Sequence, residues 1–202
     1  MSLKGCRIEA DNQALEKRFW EVLPARSVRF WLFFLRDAKG VGEFLERALP
    51  VVVSTRMAGF GRFVTTMKWL KPWLRVQWRG RMGWISREGR MWDASDSGEL
   101  PVGLEAKGPV WYLASLSDDM RPISSGVFSS PVSIDAVAAF LQEYQDYPWF
   151  GTVKEIVLDR RAGAELYRLT LARGKQKFEL LIQRSKYGGQ ELGAMLGGIT
   201  AN

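Results

Sequence analysis

The sequence predicts an α+β fold: a small strand-helix-helix-strand-strand unit, then a mostly antiparallel β-domain with flanking helices. Three observations predict it. Apolar residues first recur at helical spacing, with Leu15, Phe19, Val22 and Leu23 on one face. Later they alternate, with Leu74, Val76 and Trp78 on one side of an extended run and Arg75, Gln77 and Arg79 on the other. Towards the end, Leu166 to Ala172 and Lys177 to Gln183 flank Arg173-Gly174-Lys175, the pattern of a hairpin with a short glycine turn.

Taken in order, Cys6 to Ala10 is a short strand, and Asp11 or Asn12 offers an N-cap to a first helix that Pro24 ends. Residues 28–49 carry a second apolar run and a helix through Phe44, Leu45 and Ala48, closed before Pro50. Val51 to Thr55 is β-branched and therefore extended. Phe63 to Trp69 and Trp73 to Arg79 are expected to form a strand pair across Pro72, which sets a first domain at residues 4–80 and a second at 81–202. In the second, short strands around Trp84, Met91 and Trp111 alternate with polar loops. Ser133 caps a helix whose apolar stripe is Ile134, Val137, Ala138, Leu141 and Tyr144. Val153 to Leu158 precedes the hairpin, in which Phe178, Leu180 and Ile182 alternate with Lys177, Glu179 and Gln183. Leu192, Met195, Leu196 and Ile199 then return to helical spacing.

At 202 residues and 47% hydrophobic, the chain has ample core for two such units. It contains no histidine and a single cysteine, Cys6. The usual general base near neutral pH is therefore missing, and so are thiolate clusters for zinc or iron-sulfur and any intrachain disulfide. No G-x-S-x-G or S-x-x-K arrangement occurs. Asp93, Asp96 and Glu99 fall in one run without the calcium-loop pattern, which reads as a solvated loop. The glycines from Gly188 to Gly198 lack a following Gly-Lys-Ser/Thr and read as close packing of a short helix. The expectation is a protein that is not an enzyme, with no metal, no cofactor and no small-molecule substrate. The longest nearly apolar run, Phe30 to Leu35, falls far short of the roughly 20 residues of a membrane span, and no signal peptide opens the chain.

One stretch argues for a different role. Residues 68–92, KWLKPWLRVQWRGRMGWISREGRMW, hold five tryptophans and seven basic residues against Glu88, and account for most of the net charge of +7. Aromatics in a positive groove are how single-stranded nucleic acid is held. The alternation within the stretch favours half-buried β-structure instead, with most of the tryptophans shielded and Arg75, Arg79 and Arg90 in solvent.

The order of these motifs resembles the bacterial division proteins of the FtsQ/DivIB family across nearly the whole chain. Pro72, Leu74, Val76 and Arg79 are similar to the end of that family's POTRA domain, and Ile85, Glu88, Gly89 and Trp92 to the start of its β-domain. Glu99-Leu100-Pro101, Gly108-Pro109, the helix from 133, and the YRLTLARG and FELLIQR stretches follow in the family's order. The chain departs from the family at Trp78-Arg79-Gly80-Arg81, where a Glu-Arg-x-Pro is usual, and in the greater length of 51–62. The family's closing strand would follow the last helix, where this sequence reaches Asn202.

The resemblance implies a POTRA-like unit and a β-domain on the extracytoplasmic face of the cell membrane, with a single-pass anchor upstream of this chain. It implies a divisome scaffold that recruits FtsB- and FtsL-like division proteins at the septum, without specific nucleic acid. The alternative is a nucleic-acid-binding protein using 68–92. For partner binding, Lys177, Phe178, Glu179, Leu180, Leu181, Ile182 and Gln183 are the candidate residues, as a cleanly alternating strand with nothing after it to cover its far side.

Overall fold

The structure is a computed structural model that describes residues 6–22, 40, 42–59, 62–78, 80–97, 108–112, 126–130, 132–161, 164–183 and 188–200. It is mixed α+β, built on two sheets.

The first sheet has three strands: β1 (Cys6–Ala10), β2 (Val51–Gly59) and β3 (Arg62–Trp69). β3 lies in the centre, parallel to β1 and antiparallel to β2. Between β1 and β2 come helix α1 (Gln13–Val22) and a helix over 42–48, α2. Asn12 caps α1, its Oδ1 accepting from Leu15 N at 2.8 Å. Asp11 ties the end of β1 to the end of β3 by accepting from Trp69 N at 2.9 Å. Leu15 and Phe19 of α1 and Leu45 of α2 share one buried cluster with Val51, Met67 and Trp69. Apolar stripes on both helices thus cover the same sheet. The helix end expected at Pro24 and the apolar run Phe30 to Leu35 lie outside the described residues.

The second sheet has eight strands in the order β11-β10-β9-β7-β4-β5-β6-β8. These are β4 (Pro72–Trp78), β5 (Arg81–Ser86), β6 (Arg90–Asp93), β7 (Val110–Tyr112), β8 (Val127–Ser129), β9 (Val153–Arg161), β10 (Ala164–Arg173) and β11 (Gln176–Gln183). Pairing is antiparallel except at β4-β7 and β7-β9. Helix α3 (Ile134–Tyr144) lies on one face and helix α4 (Gly189–Thr200) follows β11.

The expected pairing of 63–69 with 73–79 is not made. β3 already has β1 and β2 as neighbours, and β4 has β5 and β7, so neither strand has a free side for the other. The chain crosses between the sheets at Leu70-Lys71. Leu70 stays with the first unit, buried and donating to Pro50 O at 2.8 Å. Leu74 already belongs to the second core.

Ser133 caps α3 as expected, its Oγ accepting from Ala136 N at 3.3 Å. Four of the five expected stripe residues lie in or against the core, and Phe140 takes the place expected of Ala138. Val137, Phe140 and Tyr144 are buried, Ile134 and Leu141 sit on its shoulder, and Ala138 is exposed. Both positions satisfy helical periodicity, and the aromatic ring decides: Phe140 stacks on Tyr167 of β10 with centroids 4.1 Å apart and meets Trp111 edge-on at 5.8 Å. Of the late glycines Gly189 packs closely, whereas Gly188 faces open space and Gly193 makes an ordinary contact with Trp149. A Cβ on Gly189 would strike the Tyr147 ring, while Leu192 and Leu196 enter the core and Met195 stays exposed.

Candidate functional site

All seven candidate partner-binding residues lie on β11, which is the outermost strand of its sheet and pairs only with β10 among the described residues. The turn Arg173-Gly174-Lys175-Gln176 has two central residues, and Gly174 takes φ +56°, as such turns require at their first central position. A two-residue turn makes Arg173 and Gln176 a hydrogen-bonded pair, and such pairs then alternate. Phe178, Leu180 and Ile182 therefore direct their amides and carbonyls to β10. Lys177, Glu179, Leu181 and Gln183 direct theirs outward. Side chains divide in the same way: Phe178, Leu180 and Ile182 pack on the core, and the other four are exposed, Leu181 by 57%. The result is a row of outward backbone groups bordered by one lysine, one glutamate and one exposed leucine.

The basic tryptophan-rich stretch is divided between the sheets. Trp69, Trp78 and Trp92 are buried, whereas Trp73 and Trp84 are half-buried. Arg75 is half-buried, donating to Gly108 O at 3.3 Å, and the side chain of Arg79 lies outside the described residues.

Arg90 corrects the expectation of a solvent-facing residue. Its guanidinium reaches from β6 into the first unit, donating to Val51 O at 2.7 Å and to Glu46 O, and standing 3.8 Å from the Glu46 carboxylate. The Glu46 carboxylate also accepts from Val53 N at 2.9 Å. Glu46 O belongs to the last turn of α2, where helical carbonyls lack internal partners and a cation is favoured. Arg90 thus caps a helix of one unit from a strand of the other. Burial lowers its pKa, and the Glu46 and Glu88 carboxylates pull the other way. No feature of the local alternation signals this, because the partners lie about 40 residues away in sequence.

On the sheet face opposite α3, the Tyr112 hydroxyl hydrogen-bonds the Glu155 carboxylate. Burial and that carboxylate raise the pKa of Tyr112, and Arg75 acts against them. Asp93 accepts from Ser95 N at 2.8 Å and from its Oγ at 2.6 Å, and lies 3.8 Å from Arg81, so its carboxylate closes a local turn. Among the described residues no cluster of three or more His, Cys, Asp or Glu side chains is placed to hold a metal, and no helix is long and apolar enough to cross a membrane. Comparison with family models and with curated proteins finds no match to this chain.

Proposed function

We propose that this chain is a non-enzymatic scaffold similar to the extracytoplasmic part of the FtsQ/DivIB division proteins, acting by recruiting other division proteins at the septum. The observation that carries this reading is β11, an eight-residue strand with one neighbour among the described residues and four outward-facing backbone positions. An extended partner segment adds to such an edge through main-chain hydrogen bonds, with alternate side chains setting specificity and no catalytic group required. The three-stranded sheet with two helices on one face supports the POTRA-like assignment of the first unit. On this reading the chain sits at the outer face of the cell membrane, and its partners are the coiled-coil FtsB and FtsL type.

Amide hydrogen exchange with and without an FtsB-like partner tests the reading directly. The amides of Lys177, Glu179, Leu181 and Gln183 should be the ones that slow, because Phe178, Leu180 and Ile182 are already bonded to β10. Binding that leaves all four outward amides exchanging at their original rates would remove β11 as the docking strand.

A further inference from the structure

A second surface lies on the α3 side of the eight-stranded sheet, away from β11, and it begins with an irregularity in β4. The β4-β5 register shifts between Pro72 and Leu74. Strict alternation would place Trp73 with Arg75, on the side away from α3. The bulge instead brings Trp73 against the core that Leu74 enters, where it lines a groove with Ile134, Ala138 and Leu141 of α3. The groove measures about 300 Å³, and Arg87, Gln142 and Gln145 complete its walls.

Arg87 is the charged residue of this lining, and it has no carboxylate partner among the described residues. Its guanidinium carbon stands 5.6 Å from the centroid of the Trp73 ring. Stacking on an aromatic face occupies the plane of a guanidinium and leaves its N-H edges free for a carboxylate. The wall that carries Arg87 is held in place. Gly89 N donates to Ser86 O at 3.1 Å, Ser130 N donates to Gly89 O at 2.6 Å, and Gly89 lies so near α3 that a Cβ there would be 3.2 Å from Ile134. A fixed wall lowers the ordering cost of binding.

The geometry points to a docking groove for an acidic, leucine-bearing segment of a partner protein, its carboxylate paired with Arg87 and its leucine set against Trp73, Ile134 and Leu141. Charge complementarity selects this occupant: among the described residues the groove offers one cation without a carboxylate partner, Arg87, above an apolar floor, on a chain of net charge +7. The surface shares no residue with β11, so it stands whether or not that edge binds a partner.

The test uses the whole chain, with isoleucine and leucine methyls and arginine nitrogens labelled for NMR. The probes are the blocked peptide Ser-Gly-Leu-Asp-Glu-Leu-Leu-Gly-Ser, its counterpart with Lys-Lys in place of Asp-Glu, and single-stranded oligo-dT. The acidic peptide should shift the Ile134 and Leu141 methyls and the Arg87 Nε-H with a Kd on the order of 0.1 mM. Arg87→Glu should weaken it by at least about tenfold and admit the lysine peptide, without change in melting temperature. Ala138→Trp, at an exposed helix position, should fill the groove and abolish the shifts. The proposal is overturned if those three groups stay unshifted up to about 1 mM peptide, or if the two peptides bind the parent alike. Tighter binding of oligo-dT, read at the Trp73 indole, would give the groove to base stacking instead.

Discussion

The two outermost strands of the eight-stranded sheet meet the edge problem in opposite ways. β8 has three residues and abuts the first unit: a Cβ on Gly126, just before it, would lie 2.8 Å from Arg47 O, and Val127 to Ser129 border a cleft of about 200 Å³ with Glu43, Glu46 and Arg47. β11 has eight residues, alternates cleanly, and carries nothing on its far side among the described residues. Unpaired strand edges are sites of association unless they are short, charged or covered. β8 is short and covered by its own chain, whereas β11 has only Lys177 and Glu179 as guards. The difference teaches where this molecule is closed and where it is available.

Proline substitution breaks the comparison most forcefully. At Phe178, Leu180 or Ile182 it removes an amide bonded to β10, and should cost about 3 kcal/mol or more, enough to melt much of the second sheet at room temperature. At Lys177, Glu179 or Gln183 the lost amide faces outward, and the fold should melt within a few degrees of the parent while capture of an FtsB-like partner fails. If the two registers melt alike, the hydrogen-bond alternation drawn for β11 is wrong.

Arg90 tests the closed end. Replacing it with alanine removes the donor to two carbonyls and should destabilise the protein by about 1–3 kcal/mol. Arg90→Lys keeps the charge but not the planar fork, and should recover less than half of that loss. Urea unfolding followed by tryptophan fluorescence measures both, and a separation into two transitions for Arg90→Ala would show that this side chain couples the units. A change below about 0.5 kcal/mol would mean that Arg90 is an ordinary surface residue.

How much of this was legible in the sequence depends on the range over which each feature is determined. β11 was legible nearly to the residue, because alternation and a glycine turn are local signals. The partner of β4 was not, since a strand's own pattern states which face is buried and is silent about which strand lies beside it. The α3 stripe was legible in Ile134, Val137, Leu141 and Tyr144, and only its edge was not: Phe140 takes the core position expected of Ala138, because the ring fills the space beside Tyr167. The bulge at Trp73 had a readable sign in Pro72, a residue that lacks the amide a regular ladder needs. Arg90 had none: it sits in a short strand like any other basic residue, and only the fold brings α2 to it.

The alkaline limb of stability should report on the open face of the same sheet. Tyr112 has a raised pKa, through burial first and the Glu155 carboxylate second, so the folded state favours the neutral phenol. A raised folded pKa gives a contribution fully present below the unfolded value near 10 and lost as pH rises through the folded one. Tyr112→Phe should therefore flatten the fall of the urea midpoint at alkaline pH relative to the parent. Superimposable alkaline limbs for the two proteins would show that Tyr112 ionises equally in both states.

The smallest effect on stability is expected at Leu181, and it separates the two edges most cleanly. Its side chain is 57% exposed and stands opposite Arg168 of β10, off the core face. Leu181→Ser therefore removes little buried area and should change stability by no more than about 0.5 kcal/mol. An exposed leucine on an outward-facing position serves recognition if a partner strand lies beside it, because alternate side chains then meet the partner on the same face. Partner capture should weaken by about tenfold while Lys177→Pro abolishes it, since the backbone ladder carries affinity and the leucine carries specificity. Val127→Ser on β8, which is half-buried on the short edge, should leave capture untouched. If Leu181→Ser binds as the parent does and Val127→Ser does not, the partner enters at the β8 end, and the edge closed by Arg90 is the one that opens.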